Sequence, residues 1–137
     1  MRIGELSERS AIPVKTIRYY EEIGVLHPPP RTPGGYRNYE ESVVGRLAFV
    51  RAAQSIGLSL GEIREIVAFR DRGQSPCAYV SGLIELHANG LAERIQVLED
   101  MRRELIRLAK VARRASPRPQ AGAAVCHIIE STRPRSA

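Results

Sequence analysis

The residues of this 137-residue chain with the richest chemistry are its two cysteines, Cys77 and Cys126, and two of its three histidines, His87 and His127. Cys77 follows Ser75-Pro76, a pair that suits the start of a helix, with Ser75 as N-cap and Pro76 at the first helical position. Unpaired N–H groups and the helix dipole at such a place favour the thiolate, the form of cysteine that binds metal. Cys126 stands in Val125-Cys126-His127-Ile128-Ile129-Glu130, with an imidazole beside the thiol. Thiolate and imidazole together suit soft and borderline metal ions. Two cysteines are too few for the scaffold of a secreted disulfide protein, and in a reducing compartment they are expected to stay thiols. No glycine-rich phosphate loop, no His-Glu-x-x-His run and no nucleophile placed beside a base occurs in the chain, so an enzyme is not expected.

The elements that must position these residues have to be built without tryptophan and with only 5% aromatic residues, so the core falls to Leu, Ile, Val and Ala. The length leaves room for one domain or two very small ones. No apolar run reaches the roughly 18 residues of a membrane span. The opening Met1-Arg2-Ile3-Gly4-Glu5-Leu6 has no apolar run behind it, so no signal peptide is read there and a cytoplasmic location is expected. A net charge of +6 favours an anionic partner, nucleic acid first. The densest basic stretch, Arg102 to Arg118, is opposed only by Glu104. Base readout needs a scaffold more than a total charge, so that stretch reads as solvated helix surface.

Such a scaffold is legible in the first seventy residues. Ile3 and Leu6 lie one helical turn apart, and Pro13 suits the first position of a second helix. There Val14, Ile17, Tyr20 and Glu21 share one stripe, and Lys15, Thr16, Arg18 and Tyr19 face away from it. Gly24 suits the C-terminal cap. Two short helices joined by a tight turn make a helix-turn-helix, and the outer residues of the second can reach phosphates and base edges. His27-Pro28-Pro29-Pro30 cannot be helical. Arg31-Thr32-Pro33-Gly34-Gly35-Tyr36-Arg37-Asn38-Tyr39 then reads as a two-stranded hairpin with a cationic, aromatic flank, the layout of a wing. Val43, Val44, Leu47 and Val50 mark a third helix. Ser59-Leu60-Gly61-Glu62 is the capping box of a fourth, bearing Ile63, Ile66, Val67 and Phe69.

Beyond Pro76, Ile84, Leu91, Leu98 and Leu105 recur every seven residues, the spacing of a coiled-coil seam. The residues three further on, His87, Arg94, Met101 and Leu108, make a less regular second row. No proline interrupts Cys77 to Ala115, so a helix of roughly 35 residues fits, and its stripe needs a partner.

Ile17-Arg18-Tyr19-Tyr20-Glu21, the Gly35-Tyr36-Arg37-x-Tyr39 wing and Gly57-Leu58-Ser59-Leu60-Gly61-Glu62-Ile63, in this order and spacing, resemble the MerR family of bacterial transcriptional regulators. The resemblance is close from Met1 to about Phe69 and looser to Glu130. It implies a mainly all-α chain: a winged helix-turn-helix DNA-binding domain over 1–70, a dimerisation helix over 75–115 forming an antiparallel coiled coil, an effector-binding loop over 116–130 and a disordered tail over 131–137. It implies a homodimer on a palindromic double-stranded promoter site, with Lys15, Thr16, Arg18 and Tyr19 serving the recognition helix and Tyr36 and Arg37 the wing. Tyr20, which shares a stripe with Ile17, belongs to the core. In an antiparallel dimer Cys77 of one subunit would meet Cys126 of its mate, giving two equivalent sites.

The chain is most similar to the heavy-metal-responsive branch of that family, in which a cysteine at the head of this helix goes with zinc, cadmium, lead or mercury. Copper(I) sensors of the branch have serine there, which makes copper(I) the lesser expectation. The branch places a further cysteine where the long helix ends, and here Val111-Ala112-Arg113 stand instead. Two thiolates suffice for a very soft ion, whereas zinc wants four ligands, so His127 and His87 are the candidate nitrogens. The resemblance also implies activation by distortion of promoter DNA, so that RNA polymerase can engage it. The alternatives are a thiol-redox or electrophile sensor, or a copper(I) sensor, on the same scaffold.

Overall fold

The computed structural model describes residues 1–115 and 121–134. The expected prolines of the effector loop, Pro117 and Pro119, and the last residues of the tail, 135–137, lie outside the described residues. The described chain is helical: α1 (Ile3–Ser10), α2 (Val14–Glu22), α3 (Ser42–Ser55), α4 (Leu60–Asp71), α5 (Cys77–Arg114) and α6 (His127–Glu130). It divides into two compact units, Met1–His87 and Ala88–Ala137, with α5 passing from one into the other.

Among the described residues the buried core lies in the first unit. Leu6 of α1, Ile12 of the turn, Ile17 and Tyr20 of α2, Leu47 and Val50 of α3, Ile63, Ile66 and Val67 of α4 and Leu83 of α5 form one cluster. The turn between α1 and α2 is Ala11-Ile12-Pro13, and Ala11 holds a left-handed backbone at φ 57°. Its polar groups are satisfied locally: the Ser7 hydroxyl donates to the Ile12 carbonyl at 2.6 Å, and the Ile12 amide donates to the Ser10 hydroxyl at 3.3 Å. Pro13 is the N-cap of α2, one residue outside the helix rather than its first residue, with ψ 145°. Its fixed φ serves either position, and the extended ψ is what the incoming turn requires.

Gly24 closes α2 at φ +84°, where a Cβ would be strained. Its amide donates to the Glu21 carbonyl at 3.3 Å and the next amide, of Val25, to the Tyr20 carbonyl at 2.9 Å. This Schellman arrangement turns Val25 and Leu26 into the core. Gly57, at φ +92°, closes α3 in the same way and leads Leu58 inward. The capping box of α4 is present as read: the Glu62 amide donates to the Ser59 hydroxyl at 3.1 Å, and the Ser59 amide to Glu62 at 2.8 Å.

The expected two-stranded wing is reduced to one isolated antiparallel bridge, Arg31 with Arg37. The cause is the proline content: Pro28, Pro29, Pro30 and Pro33 have no N–H with which to extend a ladder. Two cross-strand bonds flank the bridge, the Thr32 amide on the Tyr36 carbonyl at 2.6 Å and the Asn38 amide on the Pro30 carbonyl at 2.9 Å. A turn over 32–35 closes the tip, with the Gly35 amide on the Thr32 carbonyl at 2.8 Å, and the Tyr39 amide ties the base to the Met1 carbonyl at 2.8 Å.

Helix α5 has 38 residues, about 57 Å at 1.5 Å per residue. It starts one residue later than Ser75-Pro76 suggested. The Pro76 carbonyl accepts the Val80 amide at 2.9 Å and the Ser75 hydroxyl accepts the Cys77 amide at 3.4 Å. Its opening turns return Tyr79, Val80 and Leu83 to the core. His87 also faces inward: its Nε2 lies 2.9 and 3.1 Å from the two Glu62 oxygens. The seven-residue row is uncovered by its own chain, with Ile84, Leu91, Leu98 and Leu105 between 49 and 63% exposed. Of the row three residues on, Arg94 and Met101 are exposed, Leu108 is half-buried and His87 is turned to Glu62; Ile95, four residues from Leu91, is exposed beside them.

In the second unit the Arg107 guanidinium pairs with Glu104 at 2.6 Å and donates to the Ser131 carbonyl at 2.7 Å. Glu104 in turn accepts the Arg133 amide at 3.0 Å. These bonds fasten Ser131 and Arg133, in the chain that leaves α6, to the last turns of α5.

The Ser59 amide, joined by His87, holds the Glu62 carboxyl below the usual carboxylate range. A lowered carboxylate stabilises the fold above its unfolded value and loses that contribution as the pH falls through the folded one. Glu62→Gln keeps the cap but loses the charge. It is expected to be less stable than the parent by about 0.5–1 kcal/mol at pH 7. Urea melts recorded from pH 7 downward should show the difference closing below about pH 4.

Candidate nucleic-acid interface and thiol site

Helix α2 is nine residues long and is riveted by Ile17 and Tyr20, both buried. The Tyr20 hydroxyl donates to Gln54 of α3 at 3.2 Å, which agrees with its assignment to the core. On the opposite face Lys15, Arg18 and Tyr19 are exposed and Thr16 is half-buried. Neither Lys15 nor Arg18 has an acidic partner among the described residues. Both cations are therefore available to phosphate.

The wing is fixed to this helix through Glu21, whose side chain is only 7% exposed. One of its oxygens accepts Arg37 at 2.7 Å and the other accepts the Tyr39 hydroxyl. Burial, then the bond to Glu21, pushes the Tyr39 phenol up. Arg37 is thus a brace between wing and recognition helix as well as a cation on its surface. Together with Val14, Lys15, Arg18, Tyr19, Glu22 and Pro28 it lines a concave face between α2 and the wing. Tyr36 is exposed at the wing tip, with the Arg2 guanidinium 4.1 Å above its ring. Arg31 donates to the Gly35 carbonyl at 3.2 Å.

Three residues of this face were not singled out from the sequence. Glu21 sits within the quoted helix motif, but its two partners lie 16 and 18 residues away. Arg2 reaches Tyr36 only because Met1 pairs with Tyr39, a contact that no local pattern announces. Arg31 was read only as part of the hairpin.

The second site concerns the thiols, which are both free. Cys77 is the first residue of α5 and exposed. Cys126 is the N-cap of α6 and half-buried, and His127 is the first residue of that helix. The approach to Cys126 is shaped by Glu130, whose carboxylate accepts the amides of Ala124 at 2.7 Å, Val125 at 3.0 Å and Cys126 at 2.6 Å. The Val125 amide, with those of Ala124 and Cys126, holds its carboxyl below the usual range. His87, the other candidate nitrogen, is engaged by Glu62 through Nε2. Among the described residues no three of His, Cys, Asp and Glu gather where one chain could hold a metal ion. The donor set fits a thiophilic ion in kind, with two unpaired thiols and an imidazole, and falls short in number within one chain.

Comparison with known proteins agrees with the helical architecture. Residues 1–69 match the family description "MerR HTH family regulatory protein", and residues 44–108 match "MerR, DNA binding". The chain is 39% identical to "Heavy metal-dependent transcription regulator 2" of Rhizobium meliloti, over 80% of this chain and 74% of that protein. Among solved structures it resembles a transcription regulator from Ralstonia metallidurans in complex with lead(II), with a TM-score of 0.77 and 34% identity over 96% of this chain and 98% of that one. It also resembles the dual-function regulator MerR from Bacillus megaterium in complex with mercury(II), with a TM-score of 0.63 and 31% identity over 95% and 97% of the two chains. The helix-turn-helix, its braced wing and these matches along the chain have one reading: the protein belongs to the MerR family of DNA-binding transcriptional regulators.

Proposed function

We propose that this regulator acts as a homodimer whose operator-bound state is switched by a soft divalent metal ion. The observation that carries the proposal is the pairing of two deficits in one chain. The stripe of α5 is uncovered, and the thiol donors are too few to complete a site. A second copy supplies both. Packing the stripe of α5 against its copy, antiparallel, would bring the head of one helix to the end of the other. Cys77 of one subunit and Cys126 of its mate would then share an ion, with His127 as the third donor. In this reading His87 serves α4 through Glu62 and is not a ligand.

The heavy-metal-dependent relative and the lead and mercury complexes support a thiophilic effector. Val111-Ala112-Arg113 offer no sulfur, which favours ions satisfied by few thiolates, such as mercury or lead, over four-coordinate zinc; cadmium stands between. On DNA, two α2 helices related by a two-fold axis suit a palindromic promoter site. Lys15 and Arg18 contact phosphates, Thr16 and Tyr19 lie within reach of the groove, and Tyr36 and Arg37 bring the wing to the flanking backbone. Metal binding favours the dimer conformer that distorts the promoter, which RNA polymerase then engages. The ion must therefore bind that conformer more tightly than the repressing one. Among the described residues no helix is long and apolar enough to cross a membrane. A DNA-binding role supports a cytoplasmic location.

Two measurements test this reading. In operator titrations at several salt concentrations, Lys15→Ala and Arg18→Ala should each lower the slope of log Kd against log salt by about 1. Arg37→Ala should weaken binding and also lower the melting temperature, because Glu21 loses a partner. Unchanged slopes for both α2 variants would remove that face from the interface. In a transcription assay, Cys126→Ser should keep operator affinity and lose the response to metal, and a full response would refute the sensor assignment.

A further inference from the structure

We infer that Glu130 is a positioning residue for the metal site: its carboxylate pre-forms the loop that presents the Cys126 thiol. The inference rests on the metal reading above and extends it to a residue that is not itself a ligand. The chain before Cys126 is Ala121-Gly122-Ala123-Ala124-Val125, with no side chain able to hold its own backbone. Left to itself such a segment samples many conformations, and ordering it on metal capture would weaken binding. Here one carboxylate collects three consecutive amides, Ala124 on Oε1 at 2.7 Å and Val125 and Cys126 on Oε2 at 3.0 and 2.6 Å.

The acceptor is four residues beyond the cysteine, on the far side of the single turn of α6. Its carboxylate therefore bonds back to the helix's own N-cap and the two residues before it. These charge-assisted bonds fix the backbone on both sides of the Cys126 Cα. With Oε2 taken by two amides and Oε1 by a third, Glu130 is occupied as an acceptor and poorly placed to be a ligand. Behind it, Arg107 holds the Ser131 carbonyl and Glu104 the Arg133 amide, so the segment is also fastened where it leaves α6.

Glu130→Gln is the discriminating variant. It is nearly isosteric, but one of its two terminal atoms becomes an NH2 that would face amide donors instead of accepting them. The full-length dimer, reduced, is titrated with cadmium(II) and with mercury(II) while thiolate-to-metal absorption is followed. Amide hydrogen exchange of 124–126 is recorded on the metal-free protein. Expected for the variant are faster exchange at the three amides, affinity weaker by about ten- to a hundredfold, and an unchanged ion-to-chain ratio and absorption per ion at saturation. Parent-like affinity, or amides that stay as protected as in the parent, would overturn the positioning role while leaving the metal site standing. A changed ratio or absorption at saturation would overturn it in favour of Glu130 as a ligand. If the parent itself takes up neither ion, the metal reading fails and this role fails with it. Cys126→Ser, run in parallel, identifies absorption that belongs to the site.

Discussion

Burial of the apolar stripe along α5 is the constraint on which the other features depend. Ile84, Leu91, Ile95, Leu98 and Leu105 are each about half exposed or more in a single chain. A coiled-coil row of that length is worth covering: burying a Leu or Ile side chain fully contributes roughly 1.5–3 kcal/mol. The apolar faces of α1 to α4 meet one another in the core of the first unit. A second copy is the cover that geometry and symmetry allow most simply. Once that copy is present, two DNA-binding faces are related by a two-fold axis and the two ends of α5 belong to different chains.

Within each chain the face proposed to meet DNA is prepared by internal bonds rather than by charge alone. Glu21 is the junction. It is nearly buried, and it ties Arg37 and Tyr39 of the wing to the helix that carries Lys15 and Arg18. A buried carboxylate with both oxygens engaged in this way is costly to disrupt. The wing therefore keeps its place although its prolines deny it a strand ladder. Arg2 and Arg31 extend the positive edge around Tyr36. The basic run from Arg102 onward contributes differently: Arg107 is spent on Glu104 and on the chain leaving α6, which makes part of that charge structural.

Much of this was legible in the sequence because the signals were local. The capping box at Ser59 and Glu62, the closing glycine at Gly24 and the heptad row all act within one or two turns, and their physics is carried by neighbours. The hairpin announced by Gly34-Gly35 is present but short, one antiparallel bridge between Arg31 and Arg37, because Pro28, Pro29, Pro30 and Pro33 lack the N–H groups to extend it. A count of three residues from Ile84 puts His87 on the seam. Its actual neighbour, Glu62, is 25 residues earlier and shows only once α4 and α5 pack. The brace at Glu21, the stacking of Arg2 and the three amides on Glu130 were beyond reach for the same reason, since each depends on a turn or packing geometry that sequence spacing does not encode.

A metal site shared between two chains differs from one built within each chain in what a mixed dimer can bind. Cys77→Ser and Cys126→Ser proteins, each unable to bind an ion as a homodimer, are mixed, allowed to exchange subunits and examined by native mass spectrometry with mercury(II). If the site joins Cys77 of one chain to Cys126 of the other, the mixed dimer regains one intact site and takes up one ion. If each chain builds its own site, the mixed dimer carries two broken sites and takes up none, and the shared-site account is contradicted.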